Sequence, residues 1–478
     1  MAWPAVLAAS LALQEPPRVD DPRASAAWWT SNYGQLTESA SPQVAVAQGI
    51  LTTLWRAAGQ RLGFPPRLVI LAKDRPGLLA LALPDNSIVM SHEGLQLCLR
   101  PRRGAEPAPA AQARLGLVLA HELDHILSDD DWHVAAFNAE ATQPVELRTV
   151  IGSRDARYAT ELRADANAVL LVVAAGLDPR QALQPTSFLE EWARERQGLS
   201  GENSGTHPDT QTRVDLMRRE FERLVAELPL FKRGVEELGA GRGEAALRAF
   251  DDFHRRTRYF GKELRNNLGL AHYAIGLGAL SRCDGEAAVR FRLATWIDAS
   301  LLPRMTLRGP GADRCAGTPQ VATPLERAAK NLEEALAADP GWLTARLNLI
   351  AVLVLINEDQ ARAQARALGR GALGEKLRAL PRSDPARIAA ESAIVICDYL
   401  ARRSLGDPVA DSIRELRELH ERHPDDPAVV FNLARVLQEA GRADEARASW
   451  ALYLGLDARE PYASAARRAL LSLGDDPR

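Results

Sequence analysis

Apolar residues follow two different rhythms along this chain. Between residues 67 and 90 they come in short blocks, at 67–72, 79–83 and 87–90, separated by Lys73-Asp-Arg-Pro-Gly77 and Pro84-Asp-Asn86. Blocks of this length bounded by Pro, Gly, Asp and Asn predict strands joined by turns. No other part of the chain reads convincingly as β. A helical run is expected over 42–62, and from residue 111 the pattern is helical almost to the end. Stretches dense in Gly, Pro or Ser at 101–109, 197–209 and 307–323 interrupt it as loops. The predicted fold class is α+β, a mostly helical domain with a small β-sheet, followed by an all-α region.

Past Leu228 the helices shorten into hairpins and a spacing recurs. Small, large and small-or-aromatic residues stand at fixed offsets: Ala246, Phe250, Phe253, then Ala328, Leu332, Ala335 with Pro340. The same offsets return as Ser412, Leu416, Leu419 with Pro424, and as Ala446, Trp450, Tyr453. Ser412 and Ala446 lie 34 positions apart. Offsets and period resemble the second helix of a tetratricopeptide repeat, where a small residue lets two helices approach closely. Asn267-Leu268, Asn348-Leu349 and Asn432-Leu433 stand in the preceding helices. A generic bundle shares the apolar spacing, but four recurrences favour a degenerate tetratricopeptide-like solenoid. The expected organisation is a signal-like segment at 1–14, an N-terminal extension at 15–41, a first domain at 42–227 and the repeats at 228–478.

Composition narrows the function classes. Apolar residues make up 46% and charged residues 25%, with a formal net charge of -3 and no basic stripe, which argues against a nucleic-acid partner. The four cysteines, Cys98, Cys283, Cys315 and Cys397, include no Cys-x-x-Cys pair, so a cysteine zinc cluster is excluded. Cys283 and Cys315 could pair in an oxidising compartment, or all four are buried or spare thiols. Residues 1–13 form a short apolar run with Ser10 and Ala12 near its end, like the core and cleavage site of a secretory signal, without the basic residues that usually precede one. The expected location is periplasmic or otherwise exported, and cytoplasmic if that segment is not a signal. No other stretch approaches the roughly 20 apolar residues of a transmembrane helix.

The candidate chemistry starts at His121-Glu-Leu-Asp-His125, a His-Glu-x-x-His motif framed by Leu115–Ala120 and Ile126-Leu127. On a helix, His121 and His125 share one face a turn apart and can reach one ion, with Glu122 beside it to take a proton from water. Catalytic zinc needs a third protein ligand. Thirty-six residues after His125 comes Glu161-Leu-Arg-Ala-Asp165. Glu161 and Asp165 share a helix face, so Glu161 can reach the metal while Asp165 braces a ligand imidazole. By spacing alone, a surface Glu with a capping or salt-bridged Asp is the more ordinary reading.

Glu-x-x-Ala-Asp after His-Glu-x-x-His resembles the gluzincin peptidase family that includes the HtpX heat-shock protease and the CAAX prenyl protease. Soluble exported bacterial members of that family carry tetratricopeptide repeats behind the peptidase domain. Ala82-Leu83-Pro84 with Ile88-Val89 and Gly94-Leu95 resembles the family's Ala-Leu-Pro-Gly-Gly turn, strand and helix. Ala175-Gly176-Leu-Asp-Pro179 resembles its Ala-Gly-Tyr-Asp-Pro segment, and Thr206-His207-Pro208 with Arg213-Val214 its Thr-His-Pro motif and downstream Arg. The similarity covers roughly 42–224. Leu79 stands where the family usually has Asn, and Asp124 where it has a small residue. By position, Asp124 either engages the ion or points to solvent.

The resemblance implies a zincin-like domain with Zn2+ held by His121, His125 and Glu161, Glu122 as general base and Asp165 behind a ligand. It also implies that His207 lies near the zinc, polarising the scissile carbonyl or filling the open position, and that Arg213 helps to hold the oxyanion. Substrate would add as a strand along Ala82, Leu83 and Pro84. The implied activity is that of a zinc endopeptidase acting on protein or unfolded-polypeptide substrates in cell-envelope quality control, with clients held by the repeats. The alternative is a catalytically impaired chaperone or scaffold.

Overall fold

The computed structural model describes residues 24–59, 65–75, 78–100, 108–128, 154–183, 210–281, 289–298, 300–301, 319–457 and 461–474. The signal-like segment, Cys283 and Cys315 lie outside them. Two compact units divide the chain, Met1–Ala226 with Thr257–Gly261, and Glu227–Arg256 with Lys262–Arg478.

Three short strands form the only sheet among the described residues of the first unit: β1 (Arg67–Ile70), β2 (Ala80–Leu83) and β3 (Ser87–Met90). Their order is β1-β3-β2, with β1 parallel and β2 antiparallel to β3. The strand expected over 67–72 ends at Ile70 because β3 ends opposite it at Met90, and Leu71 bridges to Gln35 instead. The turn at 84–86 closes with Asn86 at φ 60°, a left-handed conformation that Asn tolerates better than most residues.

Alternation along the strands supplies two cores. Leu68, Ile70, Ala82, Ile88 and Met90 join one cluster with residues of α2 (Pro42–Ala57) and α4 (Ala108–Leu127). Val69, Leu71, Leu83 and Val89 turn to the other face. There Trp29 of α1 (Ala26–Tyr33) is fully buried. The 15–41 segment, expected as an extension, therefore contributes a covering layer from Ala24 onward. Strands that are apolar on both faces need both faces covered, and α1 does so on one side. The N–H of Ala26 donates to Asp85 Oδ2 at 2.7 Å, pinning this helix to the β2–β3 turn.

The remaining helices of this unit are α3 (His92–Leu99), α5 (Arg154–Ala174), α6 (Arg180–Leu183) and the start of α7 (Thr210–Gly239). The division between units falls inside α7, near the expected boundary at Leu228. Ser91 caps α3 by accepting from the N–H of Gly94. A Cβ at Gly94 would meet the Leu79 carbonyl at 2.8 Å, so only glycine fits this strand-to-helix corner. Helix α4 is buried nearly all round and packs against α2, α3, α5, α6 and β2, which makes it the central element. Its buried Arg114 donates to the carbonyls of Cys98 and Arg100, satisfying groups at the end of α3.

Among its described residues the second unit has helices as its only regular elements, and residues 289–298, where the pattern predicted helix, form none. It comprises α8 (Gly243–Thr257), α9 (Lys262–Ser281), α10 (Pro319–Ala338), α11 (Leu343–Ile356), α12 (Glu358–Leu368), α13 (Gly371–Ala379), α14 (Pro385–Leu405), α15 (Ala410–Arg422), α16 (Pro427–Glu439), α17 (Ala443–Leu456) and α18 (Tyr462–Gly474). Neighbours pack in antiparallel succession, α9 on α10, α11 on α12, α14 on α15 and α16 on α17. The residues singled out by spacing are the ones buried between them: Ala328, Leu332 and Ala335 on α10, and Ala446, Trp450 and Tyr453 on α17. Asp-Pro pairs start two of the helices, with Asp384 and Asp426 accepting from N–H groups of the first turn and Pro385 and Pro427 at the first helical positions. No helix among the described residues is long and apolar enough to cross a membrane.

Candidate metal centre

Helices α4 and α5 pack side by side and bring the predicted ligands together. His121 and His125 sit one turn apart on α4, their Nε2 atoms 3.1 Å from each other. Glu161 of α5 places Oε2 at 3.4 Å from His121 Nε2 and Oε1 at 3.6 Å from His125 Nε2. Ligand atoms bonded to one tetrahedral ion at about 2.0–2.1 Å stand about 3.3–3.4 Å apart. The three separations bracket that figure, so two imidazoles and a carboxylate converge on one point that fits a metal ion.

A second layer holds the first. Asp165, one turn beyond Glu161 and almost fully buried, lies 2.9 Å from His121 Nδ1. That bond assigns a proton to Nδ1 and turns the Nε2 lone pair towards the shared point. Arg213, on α7, grips Asp165 with both Nε and Nη2 at 2.7 Å. The guanidinium expected beside the oxyanion thus has two of its donors committed to the carboxylate that orients His121. Burial alone would raise the Asp165 pKa, but Arg213 and His121 outweigh it and hold it at about 2. Arg213 itself is pushed up, since Asp165, Glu161 and Glu122 outweigh the cost of its own burial.

Glu122, beside His121 on α4, points to the sheet. Its Oε2 accepts the N–H of Ala82 at 2.8 Å. β2 is the edge strand on this side, whereas β1 is flanked by residues 33–36 through Leu36 N–H to Ile70 O and Lys73 N–H to Tyr33 O. The motif's acid is thereby tied to the edge strand of the described sheet, at the first of the three residues expected to bind substrate. Leu83, the second, is buried towards Trp29, and Pro84 opens the turn that follows. No protein-family model and no curated protein matches this chain.

Asp124 does neither of the things its position suggested. It is buried, accepting from Asn167 Nδ2 at 3.0 Å and from Arg163 Nε at 3.3 Å, both on α5. The carboxylate joins α4 to α5 one residue before His125. Arg163 and Asn167 were missed by motif reasoning, although they stand one turn apart on the helix that carries Glu161. His207 lies outside the described residues, as do Asp129, Asp130, Asp131 and His133.

Burial would lower the His121 pKa, but its hydrogen bonds to Asp165 and Glu161 dominate and raise it to about 10. A metal needs the neutral Nε2 lone pair, so metal and proton compete for the same atom. Divalent metal binding near neutral pH is expected to release about one proton from His121. Apparent affinity should then climb about tenfold per pH unit below pH 10 from this group alone. Titration calorimetry in buffers of different ionisation heat measures the release, and binding without proton release would remove His121 from the ligand set.

Proposed function

We propose that this chain is a zinc-dependent endopeptidase of the gluzincin type, with His121, His125 and Glu161 as zinc ligands and Glu122 as the general base. The convergence of three donors at zinc-like separations, beside a motif glutamate tied to a sheet edge, carries the reading. Two imidazoles and one carboxylate are a ligand set used by catalytic zinc, which keeps a position open, whereas structural zinc is normally closed by four protein ligands. Zinc held there would polarise a carbonyl and make water acidic near neutral pH.

The chain's own groups would do the rest. Glu122, steadied at Oε2 by Ala82, offers Oε1 to take the proton of the attacking water and pass it to the leaving amine. Asp165 and Arg213 keep His121 from rotating as charge develops. An extended substrate would lie along β2, where the N–H and C=O of a residue point to the same side of the strand, so Ala82 presents its carbonyl on the edge that Glu122 faces. The helical hairpins of the second unit are read as tetratricopeptide-like repeats that hold client polypeptides. Export through residues 1–14 would place this activity in cell-envelope protein quality control.

Digestion of an unfolded protein such as casein tests the reading. Chelation is expected to abolish cleavage and one equivalent of zinc to restore it. Cleavage that survives chelation would defeat the metal mechanism. Client binding without cleavage, in both chelated and zinc-loaded protein, would replace the peptidase by the scaffold or chaperone.

A further inference from the structure

The Asn-Leu pairs of the second unit hold something. Asn267 on α9, Asn348 on α11 and Asn432 on α16 are fully buried, a costly place for a primary amide unless its groups are paired. All three are paired in the same manner. Asn432 accepts the N–H of Arg292 at 2.8 Å and donates to its carbonyl at 3.1 Å. Asn348 does this with Trp296 at 2.8 and 2.9 Å, and Asn267 with Asp298 at 2.8 and 2.6 Å.

The gripped residues belong to one non-helical segment, residues 289–298, that pairs with no strand among the described residues. Positions 292, 296 and 298 are even numbers of residues apart, and in an extended chain such residues present N–H and C=O on one edge. The row of amides therefore stands in for a neighbouring strand, and it reads main chain rather than side chains. Side chains add a second tier: Phe291 packs edge-on against Tyr399, Arg290 forks onto Glu439 with two 3.0 Å bonds, and Arg292 reaches Asp457 at 2.7 Å. Val289 and Phe291 anchor the segment in the hydrophobic cluster of the helices, while its other eight residues keep some exposure. It lies on the helices as a ligand does.

We propose that Asn267, Asn348 and Asn432 form a binding track for an extended polypeptide, and that residues 289–298 are its built-in competitor. A client strand of like chemistry, an aromatic residue flanked by Arg, displaces it. The cis segment competes at an effective concentration on the order of millimolar, so a client needs several main-chain grips at once. Unfolded chains offer them; folded proteins, with their backbone already paired, do not. This deepens the client-holding role given to the repeats above, and because the readout is binding, a failed peptidase reading leaves it standing.

The test uses the full chain and a fluorescent peptide with the sequence of residues 289–298, read by anisotropy. The parent should bind it weakly. Arg290→Ala with Phe291→Ala weakens only the cis copy, leaving Glu439 with Tyr399 and Arg403, and should tighten peptide binding at least tenfold. Adding Asn348→Leu and Asn432→Leu should abolish that gain. No tightening in the double variant, or tight binding that survives loss of both amides, overturns the proposal. Hydrogen exchange on the unaltered chain decides independently of whether these variants fold. The amides of Arg292, Trp296 and Asp298 should exchange together, at least tenfold faster than the buried turns of α11 and α16. Exchange of those three only on global unfolding would make the segment a fixed part of the fold and end the idea.

Discussion

Replacing Glu122 by Gln is expected to leave bound metal unchanged and to lower turnover by about a hundred- to ten-thousandfold, the range for loss of a general acid–base. The substitution is well controlled by the local structure. Glutamine has the same length, and its side-chain oxygen can still accept the Ala82 N–H that Glu122 accepts at 2.8 Å. All three candidate ligands stay in place, so occupancy and fold should match the parent while the proton acceptor is gone. KM should change little, because in the proposed mechanism Glu122 acts on water rather than on substrate binding. Metal content, circular dichroism and hydrolysis of a quenched peptide separate these outcomes. A Gln variant as active as the parent would remove Glu122 from the mechanism, and a variant that lost its metal would show that the carboxylate supports the site rather than the reaction.

The contacts of α4 explain why so much of this site was legible. His121 and His125 are separated by one helical turn, and Glu161 and Asp165 by another, so periodicity alone gives each pair a shared face. What periodicity does not give is which helix faces which. Only packing shows that α5 lies against α4 at the level of His121, and that Asp124 is part of that contact through Asn167 and Arg163. Asp124 looked like a departure because a motif reads along the chain, whereas its partners lie about forty positions away. Arg213 is harder still. Its hold on Asp165 spans 48 positions, and nothing local to either residue announces it.

The fold shows the same divide. The three strands were legible because short apolar blocks bounded by turn residues have few other readings, and the turn at Asn86 supplied its own left-handed residue. The role of α1 was not, since Trp28-Trp29 stands in a polar, Pro-rich neighbourhood and its partners are strand residues some forty to sixty positions on. In the second unit the small-large spacing picked out residues that are buried between helices. The Asn-Leu pairs were visible as a pattern, but spacing could not say what the amides hold, because residues 289–298 have no periodicity that ties them to α9, α11 and α16.

Glu161→Ala carries the other large effect. A four-ligand zinc site in small domains is worth about 10–16 kcal/mol, or about 2.5–4 kcal/mol per ligand, so losing one ligand of the proposed zinc site should weaken binding on the order of a hundred- to a thousandfold. Of the three candidate ligands Asp165 touches His121, at 2.9 Å through Nδ1, and Arg213 holds it from the other side, so it sits behind a ligand rather than among them. Asp165→Ala should therefore cost less, about ten- to a hundredfold, the usual range for a group that orients a metal-bound imidazole. The order matters more than either size. Zinc competition with a chelating dye, run on both variants at one pH, measures it. Each variant also removes one of the two carboxylates that raise the His121 pKa, so in both a proton competes less well and part of the loss is recovered at neutral pH. Repeating the titration at higher pH, where that competition fades, should expose the full ligand term. Equal losses in the two variants would make Glu161 a supporting carboxylate like Asp165, and unchanged zinc affinity in Glu161→Ala would leave the two histidines without their third ligand.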